Sequence, residues 1–199
     1  MAATKVKSKR TMEKKKAKVW YKVIAPPAFD SREIGEVVCV EEPTLMNRII
    51  SVSLMDISGK MSQANIYTSL KFRINEIKGT NAYTELIGHE LAPGYIRTLA
   101  RRRKSILHTV RDIPTKDDKV VRVKLISVTR DRVSETMRKN LRVAIETELT
   151  EATANSTYYE LMQDVLFGKL STKVFNKLKQ ITPMSRVEFR KTELKEQFE

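Results

Sequence analysis

The hydrophobic pattern of this chain changes period twice, and that change constrains the fold more than any other feature. From about residue 36 to residue 130, apolar side chains favour every second position. Leu70, Phe72 and Ile74 alternate with Lys71 and Arg73, and Val121, Val123 and Leu125 alternate with Arg122 and Lys124. A strand with one buried and one wet face has that spacing. From about 134 to 181 the period becomes helical, with Met137, Leu141, Ile145 and Leu149 forming one stripe of an amphipathic helix. Val187 and Phe189, set among Arg186, Glu188 and Arg190, restore the alternation and predict a closing strand over about 185–191. Strands, then a helical block, then a strand specify an α+β domain. Its sheet is expected to be mostly antiparallel and barrel-like, with flanking helices.

Turn and cap residues divide the pattern further. Trp20 to Pro27 reads as an extended segment closed by prolines, and Val37 to Val40 and Arg48 to Leu54 read as strands. Residues 66–91 form an expected hairpin about Gly79-Thr80-Asn81, followed by a short helix over 92–100 with Pro93 in its first turn. Segments 105–113 and 119–129 make a second hairpin about Pro114 to Asp118. Ser134 can cap a helix over 135–153, Thr157 and Glu160 have capping-box spacing for a second that stops at Gly168, and Ser171 can cap a third that ends before Pro183.

Charge decides the class of partner. Lys and Arg number 38 against 24 Asp and Glu, a net +14 whose natural counterpart is a polyanion. Residues 1–18 carry Lys5, Lys7, Lys9, Arg10, Lys14, Lys15, Lys16 and Lys18 against the single acid Glu13, half of that net charge. With almost nothing apolar to bury, this stretch is read as a tail, disordered or ordered on RNA, leading into one globular domain over 19–199. A flexible polycation gains affinity by releasing counterions from a phosphate backbone.

Two further groups are candidates for RNA contact. Arg101, Arg102, Arg103 and Lys104 are consecutive and, on a helix or a strand, would direct some of their charge into one phosphate-sized space. Arg130, Arg132, Arg138 and Arg142 flank the start of the first long helix. Trp20 and Tyr21 admit two roles, stacking on unpaired bases or packing in the core.

Other chemistries find little material. His89 and His108 have no cysteine at metal-ligand spacing, the single Cys39 sits in an apolar stretch, and the chain has no phosphate-cradling or nucleophile-elbow glycine motif. No metal, cofactor, small-molecule substrate or catalytic residue is assigned. Apolar runs fall short of a membrane span, Lys18 to Ala25 is too short and too charged for an export signal, and a reducing interior suits the lone cysteine.

Specific residues carry a family resemblance. Lys18-Val19-Trp20-Tyr21-Lys22-Val23-Ile24-Ala25-Pro26-Pro27-Ala28-Phe29 with Ile34-Gly35, Ser51 to Ile57, Gly88-His89-Glu90-Leu91 and the Arg101 cluster resemble the small-subunit ribosomal protein 3a family of archaea and eukaryotes, in order and spacing from about Lys18 to Phe189. The stop at Glu199 resembles the shorter archaeal form, and Asn47 stands where a glycine would be expected. The resemblance implies a β-barrel-like structural protein of the cytoplasmic ribosome. It would sit on the small-subunit platform, near the messenger exit and the 3′ region of the ribosomal RNA. Ribosomal RNA and platform proteins are the implied partners, with messenger RNA and initiation factors as further candidates. The competing reading is a free-standing chaperone or regulator that binds single-stranded RNA transiently.

Overall fold

A computed structural model describes residues 18–59, 62–154 and 156–195, with only the backbone of Gln63 and Ala64. The tail cations from Lys5 to Lys16 lie outside the described residues. Among the described residues eight strands form one sheet: β1 (Val19–Ile24), β2 (Glu33–Cys39), β3 (Ile49–Ser53), β4 (Thr68–Lys78), β5 (Asn81–Leu91), β6 (Ile106–Pro114), β7 (Val120–Thr129) and β8 (Met184–Lys195). The helices are α1 (Leu54–Ser58), α2 (Gln63–Tyr67), α3 (Pro93–Leu99), α4 (Glu135–Ala154), α5 (Tyr158–Leu166) and α6 (Lys169–Ile181).

The alternating segments form the two expected hairpins. β4 pairs with β5 about Gly79, whose positive φ suits glycine, and β6 pairs with β7 residue for residue from Ile106↔Val128 to Pro114↔Val120. The α+β class is therefore as the sequence implies, but the sheet is not a closed barrel. β5 is a branch point. One of its edges carries β4 along its whole length; the other is shared, with β1 running parallel at Asn81 to Tyr83 and β8 antiparallel at Gly88 to Glu90. The strand order β2-β1-β5-β8-β7-β6, with β3 on β4, leaves β2, β3 and β6 as free edges among the described residues. Helix α4 packs beside β6, and Arg111 of that strand pairs with Glu146 of the helix.

Helices α4, α5 and α6 cover one sheet face. Leu141, Ile145, Leu149, Leu161, Met162, Val174 and Leu178 meet Leu70, Phe72, Leu86, Leu107, Val123 and Phe189 in the main core. Tyr158 is fully buried there, and its hydroxyl donates to the Leu86 carbonyl at 2.9 Å, so its one polar group is satisfied. Near the end of β7, Ile126 and Val128 pack with Leu99 in a small separate cluster, joined by Tyr95 and Ile96 of α3.

Caps explain where the helices begin. Ser134 Oγ accepts from Met137 N–H, and Thr157 with Glu160 forms the expected capping box, joined by Asp117, whose carboxylate accepts from Tyr158 N–H at 3.0 Å. Helix α6 starts two residues before Ser171. Gly168 adopts φ +75°, which turns the chain between α5 and α6 without a longer linker. The strand expected to run on to Leu54 stops at Ser53, whose hydroxyl accepts from Met55 N–H and caps α1. Asn47 has φ +63°, the left-handed conformation that glycine enters most easily and asparagine tolerates, which accounts for either residue there.

Candidate nucleic-acid interface

The Arg101 run folds as a turn, neither helix nor strand. Arg103 has φ +66°, and Arg101, Arg102 and Arg103 are all exposed. Immediately after them, the buried Ser105 is a junction. Its N–H donates to Thr129 Oγ1 at 3.0 Å, its carbonyl accepts from Thr129 N–H at 3.0 Å, and its hydroxyl accepts from Val133 N–H at 3.2 Å and from an Arg138 guanidinium N–H at 3.4 Å. Arg130 N–H donates to the Pro183 carbonyl at 2.9 Å, and Lys104 Nζ donates to Ser185 Oγ at 3.1 Å. These bonds tie the α3–β6 turn, the β7–α4 loop and the start of β8 together at one end of the molecule. Two basic groups separate in sequence thus become one surface.

Within it the predicted cations have unequal roles. Arg101, Arg102, Arg103, Arg130 and Arg132 are exposed, and none has an acidic partner among the described residues. Arg138 and Arg142 both pair with Glu135, at 3.2 and 3.5 Å, and Arg138 also reaches Ser105, so these two brace the start of α4. Lys104 is partly buried and holds β8. Arg186 escaped the sequence reading, although it alternates with Val187 on the closing strand; it lines the same cleft as Arg101 and Lys104.

Strand geometry separates the two aromatic candidates. Trp20 and Tyr21 are neighbours on β1 and point to opposite faces, leaving Trp20 61% exposed and Tyr21 6% exposed in a small core with Cys39, Leu45, Ile74 and Ala82. Tyr21 therefore offers no open ring face to a base. Trp20 and the neighbouring Lys18 are both exposed.

The histidines serve other ends. His89 is 2% exposed; its Nε2 lies 3.0 Å from the Phe189 carbonyl and must donate, so Nδ1 accepts from Thr192 Oγ1 at 2.7 Å. Burial pushes its pKa down to about 4, so it is neutral near pH 7. His108 is exposed on β6, separated from β5 by β7 and β8 in the strand order. Among the described residues, no group of three or more His, Cys, Asp or Glu side chains could hold a metal, and no helix is long and apolar enough to cross a membrane.

Comparison with known proteins carries the assignment further: residues 6–197 match the Ribosomal S3Ae family. The chain belongs to that family. Similar proteins named small ribosomal subunit protein eS1 occur in several archaea. The one from Methanothrix thermoacetophila is 36% identical over 94% of this chain and 88% of its own length, and that from Methanoculleus marisnigri is 33% identical over 94% of both. The Sulfurisphaera tokodaii protein is 34% identical over 92% of this chain and 93% of its own. The Ribosomal S3Ae match spans β1 to β8 and α1 to α6, so the cationic end lies inside the matched region.

Proposed function

We propose that this chain is a structural constituent of the small ribosomal subunit, not an enzyme, held in the cytoplasmic ribosome by its grip on ribosomal RNA. The observation that carries the RNA contact is the convergence of Arg101, Arg102, Arg103, Arg130 and Arg132 at one end with no carboxylate pairing with them among the described residues. Unpaired guanidinium groups on short, anchored loops fit phosphate oxygens bidentately. Phosphate contact fixes position and orientation and reads little base sequence. Lys18 and the basic segment before it extend the grip, with Trp20 available to stack on an unpaired base.

The platform near the messenger exit and the 3′ region of the small-subunit RNA is the seat this reading favours, with platform proteins as neighbours and messenger RNA or initiation factors within reach. The names of the archaeal relatives support membership of the subunit, and the seat follows the family resemblance of the Trp20 to Phe29 segment. Sedimentation of native lysate on a sucrose gradient tests the reading. The chain should travel with small subunits, and replacing the five loop arginines with alanine should release it to the top of the gradient. Wild-type chain found wholly at the top, in free form, would overturn the assignment.

A further inference from the structure

Between α3 and the start of β8 lies a cleft of about 520 Å³. Tyr67 and Tyr95 line it, their rings stacked with centroids 4.9 Å apart and planes 13° apart. Arg101, Lys104 and Arg186 line it too, and no Asp or Glu does. Tyr95 is locked in place, its hydroxyl accepting from Arg186 at 2.8 Å and donating to Glu188 at 3.3 Å. Glu188, the nearest carboxylate in this network, faces Tyr95 and Arg186, and Lys104 is steadied by Ser185. Tyr67 keeps 36% of its surface open.

A fixed aromatic stack beside three cations is an arrangement that recognises a planar group carrying negative charge. The ring pair can extend its stack onto a base, which every nucleotide offers, while the guanidinium and ammonium groups meet the adjoining phosphates. A base inside a duplex is already stacked and paired, and its flat face is closed to a side chain. Simple phosphate binding would explain the cations but not the tyrosines, and a run of Asp and Glu would supply no ring to stack.

We propose that the Tyr67–Tyr95 cleft takes one unpaired nucleotide of single-stranded RNA, its base stacked on tyrosine and its phosphate held by Arg101, Lys104 and Arg186. The proposal rests on the RNA-binding reading given above and deepens it, adding a site that prefers single strands to a surface that binds phosphate generally.

The test uses the full chain and two fluorescent probes, an oligouridine of about eight nucleotides, within the span of known single-strand sites, and a fully paired, blunt-ended RNA duplex. Tyr67→Ala should weaken oligouridine binding about tenfold, the lower part of the range seen for base stacking, and leave duplex binding as it was. Tyr67→Phe should bind both probes as wild type does. Gly94 supplies a second variant, because it also lines the cleft and a Cβ there meets nothing within 4 Å. Gly94→Leu should therefore crowd the cleft without disturbing the fold, and weaken oligouridine selectively. Photocrosslinking with 4-thiouridine should label the peptide holding Tyr67 or Tyr95. Unchanged oligouridine binding in both Tyr67→Ala and Gly94→Leu overturns the proposal, as does equal loss for both probes. Displacement of oligouridine by polyglutamate equally well from wild type and Tyr67→Ala also overturns it, since charge alone would then govern the cleft. A chain without its five loop arginines that binds the duplex as wild type does would instead sink the broader RNA-binding reading.

Discussion

The sheet face and the loop end of this protein are both rich in Lys and Arg, yet they use them in opposite ways. Across β4, β5, β8, β7 and β6 the cations are interleaved with acids: Lys71 pairs with Glu90, Glu90 with Lys191, Lys191 and Lys124 with Glu193, and Arg122 and Lys195 with Asp112. The antiparallel register makes this ladder, because Glu90 stands opposite Lys191 and Arg122 opposite both Asp112 and Glu193. The acids respond accordingly. Hydrogen bonds from Arg122 and then Lys195 hold the Asp112 carboxyl far below the ordinary carboxylate range, and the Lys71 hydrogen bond lowers Glu90 against the opposing effect of burial. At the loop end, Arg101, Arg102, Arg103, Arg130 and Arg132 have no such partners among the described residues. A count of positive charge treats the two regions alike. What separates them is whether a carboxylate stands in register, so the sheet charges stabilise the fold and the loop charges are left for a ligand.

The largest effect should come from breaking the sheet side at its branch point. A Cβ on Gly88 would lie 2.0 Å from the Thr192 carbonyl oxygen, backbone against backbone, where β5 meets β8. Gly88→Ala should lower the unfolding free energy by about 4 kcal/mol or more, among the largest single-residue effects, as read by urea denaturation. If instead stability holds, the two wings of the sheet are not joined in this register.

Acid should separate the two regions next. His89 takes up a proton at about 4 in the folded chain and near 6.5 in the unfolded one. Between those values the unfolded state binds more protons, so stability is full above about pH 6.5 and falls as pH drops toward 4, by an amount on the order of 3 kcal/mol. The lowered carboxylates of Glu85, Glu90 and Glu193 add their own loss only near and below the ordinary carboxylate range, and Glu188, raised by burial, acts in the opposite sense. His89→Gln should flatten the slope between pH 5 and 6.5 in denaturation curves followed by circular dichroism. The loop segments 101–104 and 130–133 contain no histidine, so RNA affinity per folded molecule should hold over the same range.

Removing the loop charges comes third. With Arg101, Arg102, Arg103, Arg130 and Arg132 replaced by alanine, affinity for an RNA duplex at low salt should fall about a hundredfold, and the salt dependence should become shallower by nearly one unit for each phosphate no longer neutralised. The unfolding free energy should change by less than about 0.5 kcal/mol, as for surface substitutions away from packed features. A loss of stability equal to the loss of binding would show that these arginines belong with the ladder after all.

The sequence made some of this legible for definite reasons. Lys71 and Arg73 alternate with core residues, and Thr157 with Glu160 is a local capping signal, so hairpins and caps could be read from short windows. Barrel closure could not. The sheet stays open because β1 and β8 share one edge of β5, and the second of these is a pairing across more than a hundred residues between Gly88 and Glu193. Site residues followed the same division. The Arg101 run was visible as composition, whereas its union with Arg130 depends on Ser105 and Thr129, and the separation of Trp20 from Tyr21 depends on which face of β1 is covered. Arg138 and Arg142 look like free cations in a scan for basic residues, yet Glu135, three and seven residues before them, pairs with both once the helix forms.

The smallest expected effect tests the comparison most directly, because it converts one region toward the other. Glu193 accepts from Lys124 at 2.8 Å and pairs with Lys191, and although burial alone would raise its pKa, those hydrogen bonds leave it lowered. Glu193→Gln keeps the shape and removes the charge, and the partly exposed setting limits the loss of stability to less than about 1 kcal/mol. It also takes from Lys124 its partner acid and, among the described residues, leaves Lys191 with Glu90 at 3.9 Å. If a register-matched carboxylate is what withholds the sheet cations from RNA, the variant should bind duplex RNA about two- to threefold more tightly at low salt, with the gain vanishing as salt screens it. An affinity that stays fixed, or falls, would mean that the sheet face is kept from RNA by its shape and not by its acids.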